Sequence, residues 1–237
     1  MERIGNETAD LYDDVWRRGT YSGFSHDTCG QSSTPFLDEF LEAVKELRAH
    51  APRIVELGAG SCDHALRFAR SGVPTTAVEY SGAAVAAARA RAQEYPGIPL
   101  EIVQADLFAF TATLAASRLT GAYANAVFHF LSAEQRRGQY RVLRQALVER
   151  GLLAISFKAE GDALQSRGSV AHQTTAGPVV RGDDGICRLF VAEVDVLAQE
   201  MRDEGFTVCR AIRWSVPDYN IPAEKGEFVG LLASRCR

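Results

Sequence analysis

Between residues 53 and 157 the apolar pattern switches repeatedly between the period of a buried strand and that of an amphipathic helix, which leaves few architectures open. Arg53-Ile-Val-Glu-Leu57 is a short buried-strand run, followed by a helical stretch from Cys62 to Arg70 and a Gly-Val-Pro turn at Gly72 to Pro74. Thr75 to Glu79 resumes as a strand, the Ala-rich run Gly82 to Gln93 is a strong helix former, and Leu100 to Gln104 reads as a third strand. A short helix near Thr111 to Ser117, a fourth strand over Gly121 to Phe128, a helix over Ala133 to Glu149 and a fifth strand over Leu152 to Phe157 continue the rhythm. Such alternation predicts an α/β fold: a doubly wound, parallel sheet with helices on both faces and right-handed crossovers. Upstream, Pro35 opens a helix through His50 that puts Phe36, Leu37, Phe40, Leu41, Val44 and Leu47 on one face. Downstream, a polar, Gly-rich excursion from Lys158 to Gly185 precedes a helix at Val191 to Glu204. Two strands follow, Thr207 to Trp214 and Glu227 to Ala233, close enough to pair antiparallel.

Composition limits what this framework can serve. At 237 residues, 46% apolar and 24% charged, the chain suits one globular domain, residues 35–237, behind an N-terminal segment, residues 1–34. No apolar stretch reaches the roughly 18 to 20 residues of a membrane span, so no membrane partner is expected. A net charge of −4 supplies no field for a polyphosphate, which argues against nucleic acid as a partner. The polar, acidic stretch Met1 to Asp14 has neither signal nor transit character, and a cytoplasmic location is expected. Cys29, Cys62, Cys187, Cys209 and Cys236 are scattered without a Cys-x-x-Cys pair and read as reduced thiols. A zinc site would have to gather His26, Cys29, Cys62 and His64 from two segments, so no metal is expected.

In an open parallel sheet a ligand sits outside the carboxyl ends of the strands, where strand order reverses, so the turn after strand one is the first candidate. It reads Glu56-Leu-Gly58-Ala-Gly60-Ser-Cys-Asp63. Gly58 and Gly60 permit a tight turn and close approach of a ligand to the backbone. The third glycine of a dinucleotide fingerprint would fall at position 63, which is Asp, and Glu56 reads as a second carboxylate pointing into the same crevice. Both repel a pyrophosphate and favour a ligand with a cationic centre and an amino group. Glu79 closes the second strand about 20 residues beyond the turn, where an acid reaches the paired hydroxyls of a ribose. Asp106 ends the third strand, where a carboxylate can accept from an exocyclic amine and apolar neighbours can flank a purine ring. Each could be a solvated strand-end acid; three at these offsets from a Gly-x-Gly turn point to a binding site.

On these residues the sequence resembles the class I S-adenosylmethionine-dependent methyltransferases, well over about residues 36 to 160 and loosely beyond. The stretches that carry the resemblance are Val55-Glu-Leu-Gly-Ala-Gly-Ser61, Val78-Glu-Tyr80, Ala105-Asp-Leu107 and Gly121-Ala-Tyr-Ala-Asn-Ala-Val-Phe-His-Phe-Leu131. The resemblance implies a Rossmann-like, seven-stranded sheet with an antiparallel last strand and S-adenosylmethionine as cofactor. It puts Glu56, Gly58 and Gly60 around the methionine part, Glu79 and Tyr80 at the ribose, Asp106 and Leu107 at adenine, and Asn125 beside the sulfonium. Ser61 and Cys62 stand where the family often has a third small residue.

The N-terminal segment places Tyr12 and Trp16 four apart on one helical face, with Tyr21 and Phe24 following. Their rings can lid a sulfonium, at about 0.5 to 2 kcal/mol each, or can serve as an ordinary clasp on the domain surface. His129 is the candidate base near strand four, with packing against the neighbouring helix as its other reading; His172 and Tyr219 lie in the late segments that would form an acceptor pocket. The stretch from Gly161 to Arg188 is expected to decide the substrate. The leading expectation is methyl transfer to a small molecule. The alternative resembles azetidine-2-carboxylate synthases, in which the cofactor's amino group attacks its own γ-carbon and releases methylthioadenosine; Asn125, Ser156 and the aromatic Tyr12 would then contact the methionine part. A cofactor-binding protein without turnover stands third. A nicotinamide oxidoreductase is last, disfavoured by Glu56 and Asp63.

Overall fold

The computed structural model describes residues 13, 14, 17, 35–47, 51–116, 118–217 and 225–236. Its main sheet has seven strands in the order β3-β2-β1-β4-β5-β10-β9. These are β1 (Ile54–Leu57), β2 (Thr75–Glu79), β3 (Leu100–Gln104), β4 (Leu119–Ala124), β5 (Leu147–Lys158), β9 (Phe206–Pro217) and β10 (Lys225–Arg235). The first five pair parallel; β10, last in the chain, inserts antiparallel between β5 and β9. The order reverses between β1 and β4, which puts the crevice above the turns that follow those two strands.

Helices α1 (Leu37–Glu46), α2 (Asp63–Arg70), α3 (Gly82–Ala92), α4 (Leu107–Thr111), α5 (Ala133–Ala146), α6 (Ala163–Ser166) and α7 (Val194–Asp203) complete the described part. Each predicted strand and helix of the alternating region is present with its ends moved: β5 begins at Leu147, five residues before its predicted start, so the preceding helix stops at Ala146 and not Glu149, and two further shifts have visible causes. The short helix lies over 107–111 and not 111–117, because Asp106 Oδ1 accepts from Phe108 N and Ala109 N and starts it earlier. Strand four stops at Ala124 and does not run to Phe128. Ala126 adopts φ +54°, and its N–H goes to the Ser156 hydroxyl, which turns the chain into a 310 turn over Phe128–Phe130.

The excursion after β5 is more ordered than its composition predicts. It holds α6 and a separate three-stranded antiparallel sheet, β6 (Ser169–Thr174), β7 (Gly177–Arg181) and β8 (Cys187–Leu189). Strand β8 packs on the 310 turn and β5, so this small sheet stands over the carboxyl end of the main one.

The core lies on both faces of the parallel strands. On one, α1 buries Leu37, Phe40, Leu41 and Val44 against Ile54, Tyr123 and Ala154. On the other, Tyr140 and Leu143 of α5 and Leu197, Ala198 and Met201 of α7 pack under Val55, Leu153 and Leu231. A buried, bidentate pair, Arg136 Nε and Nη2 to Glu200, ties α5 to α7. Helix α1 can approach β4 only because position 121 is glycine: a Cβ there would lie 2.7 Å from Phe40 Cζ and 2.8 Å from Val44 Cγ2. Gly121→Ala is expected to destabilise the fold by about 1–3 kcal/mol through overpacking, read as a lower denaturant midpoint with an unchanged m-value.

Candidate active site

The glycine turn after β1 carries three left-handed residues in alternation: Gly58 (φ +67°), Gly60 (φ +52°) and Cys62 (φ +62°). Gly58 is required twice over, since a Cβ would also stand 2.5 Å from Val127 Cγ2. The turn is fixed from two sides. Gly60 N donates to Glu79 Oε2 at 2.8 Å, while Ser81 N donates to Glu79 Oε1 at 2.8 Å, so one carboxylate joins the turn after β1 to the turn after β2. On the outer side Arg91 reaches from α3 to Asp63 Oδ1 (2.5 Å) and to the Ser61 carbonyl (3.0 Å), and Ser61 Oγ donates to Asp63 Oδ2 (2.6 Å).

Two acids of the turn are therefore placed differently from expectation. Asp63 is paired with Arg91 and adds little bare negative charge to the crevice. Glu56 is 1% exposed and does not open into the crevice. Its Oε2 accepts from Ala65 N (2.7 Å) and its Oε1 lies 3.0 Å from His64 Nδ1. Because Cys62 gives α2 no side-chain cap, Glu56 satisfies a first-turn N–H of that helix from the neighbouring strand. Burial, then the charges of Glu56 and Glu79, push the Cys62 thiol far up, which leaves it inert.

Beyond the carboxyl ends of β2 and β3 lies a cleft of about 590 Å³, lined by Tyr80, Gly82 and Ala83 on one side and Gln104, Ala105 and Asp106 on the other. Asp13 and Arg17 contribute to the same wall. Asp13 Oδ1 accepts from Ser81 Oγ (2.8 Å) and Ala83 N (3.2 Å), and its Oδ2 pairs with Arg17 at 2.6 Å. The hydrogen bonds from Ser81 and Ala83 hold the Asp13 carboxyl below its usual range. Glu79 goes the other way, raised by burial although the N–H groups of Ser81 and Gly60 oppose the shift. Leu107, half-buried, opens α4 beside the cleft and packs against the core.

At the end of β4, Asn125 Oδ1 accepts from Ser156 Oγ at 2.6 Å, and Ser156 Oγ accepts from Ala126 N at 2.9 Å. The hydroxyl has one proton and must give it to Asn125, so the amide oxygen is committed and its NH2 is the end left for a ligand. His129 is 4% exposed, its ring 4.0 Å from that of Phe130, and its Nδ1 has no hydrogen-bond partner. Burial, then the charges of Arg188 and Lys158, hold it well below the usual imidazole value. His172 lies on the exposed strand β6, away from these groups. Tyr12, Trp16, Tyr21, Phe24, His26, Cys29 and Tyr219 lie outside the described residues.

Sequence reasoning missed Asp13, Arg91, Lys158 and Arg188. Ser81 was findable as a cap at the head of an Ala-rich helix, but a contact between residues 13 and 81 has no local signal. Among the described residues no cluster of metal-ligating side chains occurs, and no helix is long and apolar enough to cross a membrane.

Residues 54–151 match the family model of a methyltransferase domain. This stretch is less than half of the chain, and over it the chain is similar to that domain. The strand order and the antiparallel β10 extend the class I methyltransferase fold to the rest of the described chain. A 1,6-didemethyltoxoflavin N1-methyltransferase of Burkholderia thailandensis, solved with 1,6-didemethyltoxoflavin and S-adenosylhomocysteine, superposes with a TM-score of 0.67 at 15% identity, over 100% of this chain and 92% of that one. A magnesium protoporphyrin IX methyltransferase from Synechocystis, with bound S-adenosylhomocysteine, gives 0.66 at 16% identity over 98% and 100%. The [4+2]-cyclase SpnF gives 0.65 at 17% identity over 98% and 96%. At these identities the likeness is one of fold. No curated protein matches the chain in sequence.

The fold also carries a pH signature. His129 is neutral in the fold and resists protonation, so its contribution to stability is complete above the unfolded imidazole value near 6.5 and is lost as pH falls below it. Glu79 acts in the opposite sense, because burial raises its proton affinity in the fold, and it is common to both proteins compared. The drop in melting temperature between pH 7.5 and 5.5 should therefore be smaller in His129→Phe than in the wild type. Equal drops would refute the buried neutral ring.

Proposed function

We propose that this protein is an enzyme that uses S-adenosylmethionine to methylate a small-molecule acceptor. The observation that carries the reading is Glu79, clamped by Gly60 N and Ser81 N beside the cleft. Each carboxylate oxygen keeps a lone pair beyond its backbone hydrogen bond, enough to accept from the two hydroxyls of a ribose. Asp106, with only Oδ1 used by α4, can accept from an adenine amine. The cleft is large enough for a nucleoside, and Gly58 and Gly60 let the methionine part approach the backbone. The two methyltransferases with similar folds, both solved with bound S-adenosylhomocysteine, support the same cofactor and a small acceptor.

When bound, S-adenosylmethionine supplies an electrophilic methyl group on a sulfonium. The residues of this chain hold and orient. Glu79 and Asp106 fix the nucleoside, while Asn125, locked by Ser156, presents amide protons at the end of β4 where the reacting groups meet. The chain's part would be to hold the acceptor's lone pair in line with the methyl group that the bound cofactor would supply. Rate then comes from proximity and alignment, and a base is needed only where the acceptor must lose a proton.

Glu79→Ala should weaken S-adenosylhomocysteine binding at least tenfold by calorimetry, the loss of hydrogen bonds to a charged group being about 1.5–3 kcal/mol. Ser156→Ala should leave that affinity within about threefold and lower turnover instead, because it frees the Asn125 amide to rotate. Mass spectrometry of the wild type with S-adenosylmethionine alone is expected to return the cofactor intact. Methylthioadenosine formed by wild type and not by Glu79→Ala would replace methyl transfer by intramolecular cyclisation.

A further inference from the structure

Opposite the nucleoside cleft, β4, β5, the 310 turn and β8 bring together hydrogen-bond donors and cations. Ser156 and Lys158 are two residues apart on β5 and share one face, so Lys158 follows directly above the Ser156–Asn125 pair. Lys158 is 14% exposed; one of its donors goes to Asp162 Oδ2 at 2.7 Å, and its Nζ stands 4.3 Å from the centre of the Phe228 ring. From the small sheet, Arg188 lies with its guanidinium 5.6 Å from the Phe130 ring centre, and the Phe130 ring lies tilted against His129, 4.0 Å between centres. The acids that face this cluster are Asp162, held also by Leu164 N and Glu227 N, and Asp184, bound by Arg188. His129 Nδ1 is buried there with no partner, and a buried unsatisfied nitrogen costs about 1–3 kcal/mol unless something completes it.

We infer that this corner, with Asn125, His129 and Lys158 around it and Arg188 behind, is a binding site for a carboxylate. A carboxylate accepts only, and each group that this corner presents can donate: the amide NH2 of Asn125, a remaining proton of the Lys158 ammonium, and Nδ1–H of a neutral His129. The inference rests on the cofactor reading in one respect: the carboxylate belongs either to the acceptor or to the methionine part of S-adenosylmethionine.

The test uses the full chain with 15N-labelled histidine and acetate as the probe, with acetamide as its neutral counterpart. Acetate should shift the His129 ring signals saturably and acetamide should not. Lys158→Met combined with Asp162→Asn, which removes the pair without leaving a buried lone charge, should raise the acetate Kd at least tenfold. Arg188→Met provides a second variant outside that pair. Saturating S-adenosylhomocysteine separates the sources: displacement of acetate assigns the site to the cofactor's own carboxylate, and simultaneous binding assigns it to the acceptor. Equal responses to acetate and acetamide, no response at His129, or an unchanged Kd in both variants would overturn the carboxylate site. S-adenosylhomocysteine binding on the same samples keeps that failure distinct from failure of the cofactor reading.

Discussion

One carboxylate holds the crevice in shape. Glu79 accepts from Gly60 N and Ser81 N, and these two N–H groups belong to the turns that follow β1 and β2. A turn with three left-handed residues has little ladder hydrogen bonding of its own, so its position depends on contacts from outside. Glu79 supplies one such contact within the sheet, and Arg91 supplies another from α3 through Asp63 and the Ser61 carbonyl. The consequence extends to the N-terminal segment. Ser81, whose N–H Glu79 fixes, caps α3 with its hydroxyl oxygen and donates the hydroxyl proton to Asp13. The chain Gly60–Glu79–Ser81–Asp13 thus links the glycine turn to residues nearly fifty positions before it, and the cleft lies along that chain.

The alternating region was legible because its central strands β1 and β4 are buried on both faces and its helices are amphipathic or Ala-rich, so local pattern and final environment agree. Gly58, Gly60, Glu79 and Asp106 were legible for a related reason: each stands at a strand end, and position along the chain fixes position at the crevice. Glu56 was misread because sequence shows which end of a strand a carboxylate occupies but not which N–H it will meet; α2 lacked a cap, and Glu56 was near enough to serve. The small sheet was illegible for the opposite reason. Strand β6, Ser169–Thr174, is exposed almost throughout and shows no apolar alternation, and it is held to β7 by the backbone ladder and the Thr174 hydroxyl.

The two sides of the crevice differ in construction. The nucleoside side is made mostly of backbone: left-handed glycines, N–H groups and helix starts, held by acids that the sheet itself positions. The opposite side is made of side chains from elements far apart in sequence, with Asn125 after β4, His129 on the 310 turn, Lys158 at the end of β5 and Arg188 on β8. On the proposed function, a change of acceptor then proceeds by substitution on the second side without disturbing the first. Superposition at 15–17% identity with two methyltransferases and with a [4+2]-cyclase accords with that division, since a shared scaffold accompanies different named reactions.

On the proposed function, the chemistry turns on the polarity offered where β4 ends. The Ala126 N–H, by occupying the Ser156 oxygen, compels the hydroxyl proton toward Asn125 Oδ1, and the amide must then present its NH2. The positive φ of Ala126 is the backbone condition for this relay, because a strand continuing through residue 126 would have sent that N–H into the ladder. The same departure from extended structure that ends β4 early sets the direction of the amide. A break in the sheet and the polarity of the candidate site are thus joined through one group, the Ser156 hydroxyl, which accepts from the Ala126 N–H and donates to Asn125.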